Sequence, residues 1–310
     1  MRLQIMKRLT PVVFLAGLVV ILVLSSLGTA RSLAQKERLR HRRAITTAGA
    51  VHAAPVAALH FNNLDPNGPC GAFLASQDAN SEIRIGFQIA PVPLNLEGKN
   101  CGLVGLGSFI VNGHSDCDGC HGSGGPPNFD QANGNNPYFI GVKAPGHIDP
   151  SGYLGGGADF GVAVPPSAAV GGFPPGSIPA SYPPPEYGDY VGPDIIVRNL
   201  TPNKDGVPEG GNTLEQFKAI IRNGTDFDHL HPTCTTAVPV PSPANCIPPP
   251  VNGDVLQIMP WPVFHNMTDH QIEAIYEYLK TIPCIEGPAS PSDLPPPLQY
   301  AFPVLHNDCQ

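Results

Sequence analysis

Five consecutive residues, Cys117, Asp118, Gly119, Cys120 and His121, bring two thiols and an imidazole together on a short stretch of chain. This C-x-x-C-H run is the attachment sequence of a c-type haem. Thiols three positions apart meet the two vinyl groups of one porphyrin, and the adjacent imidazole then sits under the iron. Two other chemistries share the C-x-x-C spacing. A structural zinc needs a second ligand pair, and no further C-x-x-C or H-x₃₋₅-H pair at finger-like spacing stands nearby. A thioredoxin-like dithiol wants a βαβ setting, which residues 113–136 do not provide.

Around this motif the chain has little means of building long regular elements. It carries 38 prolines and 34 glycines in 310 residues, and charged residues are only 14%, against about 25% in ordinary globular chains. Long irregular connections follow. Hydrophobic residues at 42% and aromatics at 7% nevertheless exceed what a wholly disordered chain carries, so a packed core exists and is local. The length permits one or two domains. The formal charge of −8 argues against a nucleic-acid-binding domain and favours basic or neutral partners.

Residues 1–34 read as a secretory signal: Arg2, Lys7 and Arg8, an apolar run from Val12 to Leu24 broken only by Gly17, and small residues in Ser32-Leu33-Ala34. Gly28-Thr29-Ala30 is a second cleavage candidate. An uncleaved anchor is the alternative, because Pro11 to Ala30 has the length of a membrane span. The run Lys36, Arg38, Arg40, Arg42, Arg43 opposes translocation of the following chain, which fits cleavage better than a permanent anchor. The expected location is periplasmic or otherwise extracytoplasmic, with membrane attachment only through an uncleaved N-terminus.

The other six cysteines, Cys70, Cys101, Cys234, Cys246, Cys284 and Cys309, are an even number in an oxidising compartment and allow up to three disulfides. Six thiols admit 15 connectivities. Neighbours in sequence would pair Cys70 with Cys101, Cys234 with Cys246, and Cys284 with Cys309.

A low-spin electron-transfer haem takes a sixth ligand, and methionine raises its potential relative to histidine. Met1 and Met6 leave with the signal, so Met259 and Met267 remain. Thr268 as N-cap with Gln271 at N3 opens a helix carrying Ile272, Ile275, Tyr276 and Leu279 at helical spacing and ending by Pro283. Met267 is then the N′ residue of a hydrophobic staple with Ile272. Met259 lies in Gln257-Ile258-Met259-Pro260-Trp261-Pro262, where the prolines impose an extended loop able to project a thioether, and it is the choice for sixth ligand. Among His114, His147, His229, His231, His265 and His270, the serious rival is His265, while His229 and His231 read as a solvent-exposed polar loop. A second helix is expected from Thr213 as N-cap through Phe217, Ile220 and Ile221 to Gly224.

Leu103 to His121, Asn199-Leu200-Thr201-Pro202, Glu215-Gln216-Phe217, Ile221-Arg222-Asn223-Gly224, and Met259-Pro260-Trp261-Pro262 through Tyr276-Glu277-Tyr278-Leu279-Lys280 together resemble the single-haem cytochrome c proteins of bacteria. They are also similar to the cytochrome c subunits of membrane dehydrogenases. The resemblance spans Ile83 to about Pro283, with wide gaps. It implies a mainly α, class I-like cytochrome c domain with long Pro/Gly-rich loop insertions and disulfides. The helix before the C-x-x-C-H, about Leu103 to Asn112, would cross the last one, about Asp269 to Thr281, with Gly105 or Gly107 allowing close approach to Tyr276. It implies thioether links at Cys117 and Cys120, His121 as proximal and Met259 as distal ligand of one haem c, and Asn199 or Thr201 near a propionate. His121 and Met259 are 138 residues apart, further than in compact members of that class.

The expected layout is therefore a signal at 1–34, an N-terminal extension at 35–82, partly disordered, a haem domain at 83–285 with an insertion at about 155–193 and a Pro-rich loop at 234–252, and a tail at 286–310. The expected function is an exported carrier of single electrons between redox proteins, a dehydrogenase donor and an oxidase or cytochrome acceptor, with no nucleic acid and no substrate chemistry of its own. The alternatives are a peroxidase-like haem enzyme, which needs an open distal face with acid–base groups, and a haem-bearing docking subunit of a dehydrogenase complex.

Overall fold

The computed structural model describes residues 63–123, 148–162, 193–234, 246–247 and 252–310. The signal, the basic run, most of the 155–193 insertion and most of the Pro-rich loop lie outside the described residues. What is described is helical with little strand, and three disulfides staple it. Among the described residues no helix is long and apolar enough to cross a membrane.

The helices in chain order are α1 (Gly71–Ala75), α2 (Glu82–Ile89), α3 (Cys101–Phe109), α4 (Cys117–His121), α5 (Leu214–Asn223), α6 (Trp261–Phe264), α7 (Asp269–Leu279) and α8 (Phe302–Leu305). Local chemistry sets their starts. The Ser81 hydroxyl accepts the Arg84 N–H at α2, and Asn100 Oδ1 accepts the Gly102 and Leu103 N–H groups at α3. Thr213 with Gln216 and Thr268 with Gln271 form the two capping boxes expected for α5 and α7. Gly224 closes α5 in the left-handed conformation at φ 64°.

α3 is the centre of the fold, and its glycines explain how. α2 lies against one side, where a Cβ on Gly105 would come within 2.7 Å of the Ile83 carbonyl oxygen. α7 crosses the other, where a Cβ on Gly107 would sit 1.9 Å from the Ala274 carbonyl oxygen and 2.7 Å from Tyr278 Cβ. The close approach therefore falls on Ala274 and Tyr278 rather than on Tyr276. Residues 274 and 278 are one helical turn apart on the face toward α3, whereas Tyr276 points to α5, its ring tilted against Phe217 at 5.6 Å and its hydroxyl donating to the Asn212 carbonyl. Val104, Ile272, Tyr278 and Leu279 are buried at this crossing.

The helix does not continue regularly to Asn112. At Ile110 it widens into a π-type turn, Ile110–His114, that delivers the chain to α4. Asn112 there joins a closed ring of hydrogen bonds. Tyr153 Oη donates to Asn112 Oδ1 at 2.6 Å, Asn112 Nδ2 donates to Tyr278 Oη at 3.2 Å, and the two hydroxyls meet at 2.8 Å. This ring ties the π-type turn, α7 and the segment after residue 148 together.

The strands β1 (Asp159–Val162) and β2 (Asp194–Ile196) form one antiparallel pair with Asp159 opposite Ile196 and Val162 opposite Asp194. The sequence-adjacent cysteines are the bonded ones: Cys70–Cys101, Cys234–Cys246 and Cys284–Cys309. The first joins α1 to α3, beside which buried Asn63 donates to the Val92 carbonyl and accepts from the Leu94 N–H. At the other end Asn307 donates to the Thr201 and Pro202 carbonyls, holding the C-terminal segment on the core.

Candidate functional site: a cavity between the C-x-x-C-H turn and the Met259 loop

Cys117, Cys120 and His121 occupy a single helical turn, α4, entered through Asp116 at φ 46°. Gly119 lies under the Asp116 carboxyl, where a Cβ would come within 2.4 Å of Asp116 Oδ2 and displace that side chain. Cys117 and Cys120 are the two described cysteines outside disulfides. His121 Nδ1 is 2.9 Å from the Arg198 carbonyl oxygen. A carbonyl can only accept, so the proton is on Nδ1 and the ring's lone pair on Nε2. The His121 carbonyl in turn accepts from the Gly156 N–H at 2.7 Å. Ring and backbone are both fixed from outside α4.

Burial governs the ionisation of this turn. It pushes the Cys117 thiol up to about 12, with the Asp116 and Cys120 charges adding, and raises Cys120 as well. Burial lowers His121 to about 4, so the imidazole is neutral at pH 7. Neutral imidazole is the form that ligates iron. Thiols held above their ordinary value are the opposite of the activated thiolate that disulfide exchange requires. Among the described residues, no group of three or more His, Cys, Asp or Glu side chains comes together to hold a metal ion.

These three residues line a cavity that is partly open to solvent. Its walls are largely apolar, with Val111, Leu200, Phe217, Ile221, Ile275 and Leu279 among the contributors. Met259 lines the same cavity, as does Met267. The Met259 loop is built by several pins. The Leu256 N–H donates to the Gly224 carbonyl at 2.6 Å, Thr225 bridges to Val255, and the Trp261 indole N–H donates to the Leu256 carbonyl. Gly224 makes this possible, since a Cβ there would lie 2.4 Å from the Trp261 ring nitrogen. Met267 is fixed differently, its carbonyl accepting from Arg222.

Several expected roles move. His265 is exposed, its Nδ1 bonded to the Arg222 carbonyl at 2.7 Å, and does not line the cavity. His231, expected in solvent, is buried against the Tyr300 ring and lines the cavity. Asn199 and Thr201 do not line it either. Asn199 Oδ1 accepts from the Thr201 N–H and hydroxyl, and its amide donates to the Ile285 carbonyl, so both serve the C-terminal segment. Their neighbour Arg198 takes the polar position instead. It is paired with Asp226 at 2.5 Å and with Asp228, and Arg198, Asp226 and Glu209 form a charged part of the cavity wall. No spacing rule pointed to these residues; they are single side chains in three separate segments.

Compared with protein-family models, curated proteins and solved structures, the chain matches none. The site is therefore read from its own chemistry: two free thiols, a neutral oriented imidazole and a thioether around one apolar cavity, with one charged edge.

Proposed function

We propose that the chain is an exported single-haem c-type cytochrome, built on a class I-like cytochrome c domain, that carries electrons one at a time between redox proteins. The observation that carries this reading is the convergence of Cys117, Cys120, His121 and Met259 on one cavity. The donor set fits a covalently held haem. Cys117 and Cys120 would supply the thioether links, Nε2 of His121 the proximal ligand and the Met259 sulfur the distal one. Bound there, a haem supplies a reversible ferric–ferrous couple. The Arg198 carbonyl orients the imidazole, and the surrounding walls are largely apolar. Six cysteines in three disulfides favour an oxidising, extracytoplasmic compartment. The acidic balance favours a basic docking surface on a dehydrogenase donor or an oxidase or cytochrome acceptor, with rates that fall as salt rises.

The test is a pyridine haemochrome assay with ferric and ferrous spectra of the exported protein and its Met259→Ala variant. The expected result is one covalent haem c per chain and a red-edge sulfur-to-iron band that Met259→Ala removes. If that band and the potential survive the substitution, the distal assignment is wrong. A second reading, a peroxidase-like haem enzyme, is favoured by the ionisable Arg198, Glu209 and His231 on the cavity wall. A high-spin wild-type spectrum that binds carbon monoxide or peroxide would select it.

A further inference from the structure

Glu209 is placed at some cost. It is a non-glycine residue at φ 49°, followed by Gly210 at 67° and Gly211 at 92°, a left-handed conformation that is unfavourable for a side chain bearing a Cβ. The turn delivers its carboxyl group to the cavity wall at 5% exposure. Oε2 has no hydrogen-bond partner among the described residues. A buried carboxylate oxygen left without a donor is expensive, whereas a protonated one is tolerated. The charged groups around it are Arg198, on the segment after β2, and Asp226 and Asp228, on the turn after α5; His231 is the remaining titratable side chain on the same stretch of wall. Arg198 is already committed to both aspartates, so it does not neutralise Glu209 fully.

Resting on the haem reading above, we propose that Glu209 is a proton acceptor loaded when an electron enters the cavity, so that the protein moves one proton with each electron. An external one-electron reductant would supply the electron to the haem that Cys117, Cys120, His121 and Met259 would hold, and a proton from solvent would form the O–H bond at Glu209 Oε2. Oxidation by the acceptor reverses both, and the charge inside the cavity stays constant. Two features make the coupling strong. The carboxyl and the redox centre would share one largely apolar cavity, where charges interact more strongly than in bulk water. The Arg198 that faces Glu209 also bonds the proximal imidazole through its carbonyl. Burial pushes the Glu209 carboxyl up to about 7, with Arg198 opposing and Asp228 and Asp226 adding, so the proton exchanges in the neutral range. An ionised Glu209 favours the ferric state, and linkage requires reduction to raise its proton affinity in return.

The experiment is potentiometry of the haem-loaded protein across pH, with infrared difference spectra of the carboxylic acid carbonyl stretch on reduction. The wild-type potential is expected to fall with rising pH through neutrality, at up to about 59 mV per pH unit, the one-electron equivalent of a tenfold change. The infrared spectra should gain a protonated-carboxyl band on reduction. Glu209→Gln should flatten the slope, hold the potential near the acid-side wild-type value and lose the band, and Glu209→Asp should restore both. A haem-loaded wild type with no slope, or a slope and band that persist in Glu209→Gln, overturns the proposal and leaves the carrier reading standing. Absence of covalent haem in the haemochrome assay overturns both.

Discussion

Asp118 separates the two thiols in sequence yet does not line their cavity. Its Oδ1 accepts the Leu154 N–H at 2.9 Å, its Oδ2 has no partner among the described residues, and burial pushes the carboxyl up to about 7. The unfolded carboxyl titrates near ~3.9. Between these values the folded chain holds a proton that the unfolded chain has lost, so stability falls as pH rises from about 4 to about 7, with a slope of up to about 1.4 kcal/mol per pH unit. Asp118→Asn retains an acceptor for Leu154 and removes that proton; denaturant unfolding at a series of pH values should show a smaller decline than wild type. An unchanged decline would place the titration elsewhere. Of the residues that line the cavity, those singled out beforehand were tied by spacing, Cys117, Cys120 and His121, or by elimination, Met259. Glu209 was hidden inside Pro208-Glu209-Gly210-Gly211, which reads as an ordinary turn, and His231 because its burial depends on Tyr300, far along the chain.

The elements obey local rules wherever those rules have room to act. α5 and α7 start at capping boxes and carry their apolar faces where periodicity puts them, so both were readable. α3 was harder to bound. Gly102, Gly105 and Gly107 weaken its helical propensity, and packing on both sides decides its course. The glycines are not equivalent. Gly107→Ala drives a methyl onto the Ala274 carbonyl and should destabilise by about 1–3 kcal/mol, the usual cost of overpacking. Gly102→Ala, whose Cβ would meet only a side-chain atom at 3.3 Å, Asn100 Oδ1, should instead raise stability by up to about 1 kcal/mol through helix propensity. Comparing the two by thermal or denaturant unfolding separates crossing geometry from helix propensity. Equal effects would mean that α7 does not depend on the Gly107 contact. The π-type turn at Ile110 carried no sequence signal, because it serves the Tyr153–Asn112–Tyr278 ring, whose members lie up to 166 residues apart.

At the scale of the molecule, covalent staples take the place of long elements. Cys70–Cys101 closes a separation of 31 residues, and chain-entropy arithmetic assigns such a loop about 3–4 kcal/mol. The double substitution Cys70→Ser with Cys101→Ser should lose stability of that order in denaturant unfolding, while the pH slope carried by Asp118 persists. The sequence left 15 connectivities open, with nearest-neighbour pairing as one of them; the structure has that one. The excursions of the chain also leave and return at closed necks. β1 pairs with β2 on either side of residues 163–192. Cys234 and Cys246 are bonded, and the Cys234 N–H and Ile247 N–H donate to the Ile247 and Pro232 carbonyls on either side of residues 235–245. With the neck fixed, doubling the length of such a loop costs only about 0.6 kcal/mol. Insertions there can lengthen, shorten or change composition with almost no consequence for the positions of His121 and Met259. Changes in length at those two places can thus be absorbed without moving the walls of the cavity.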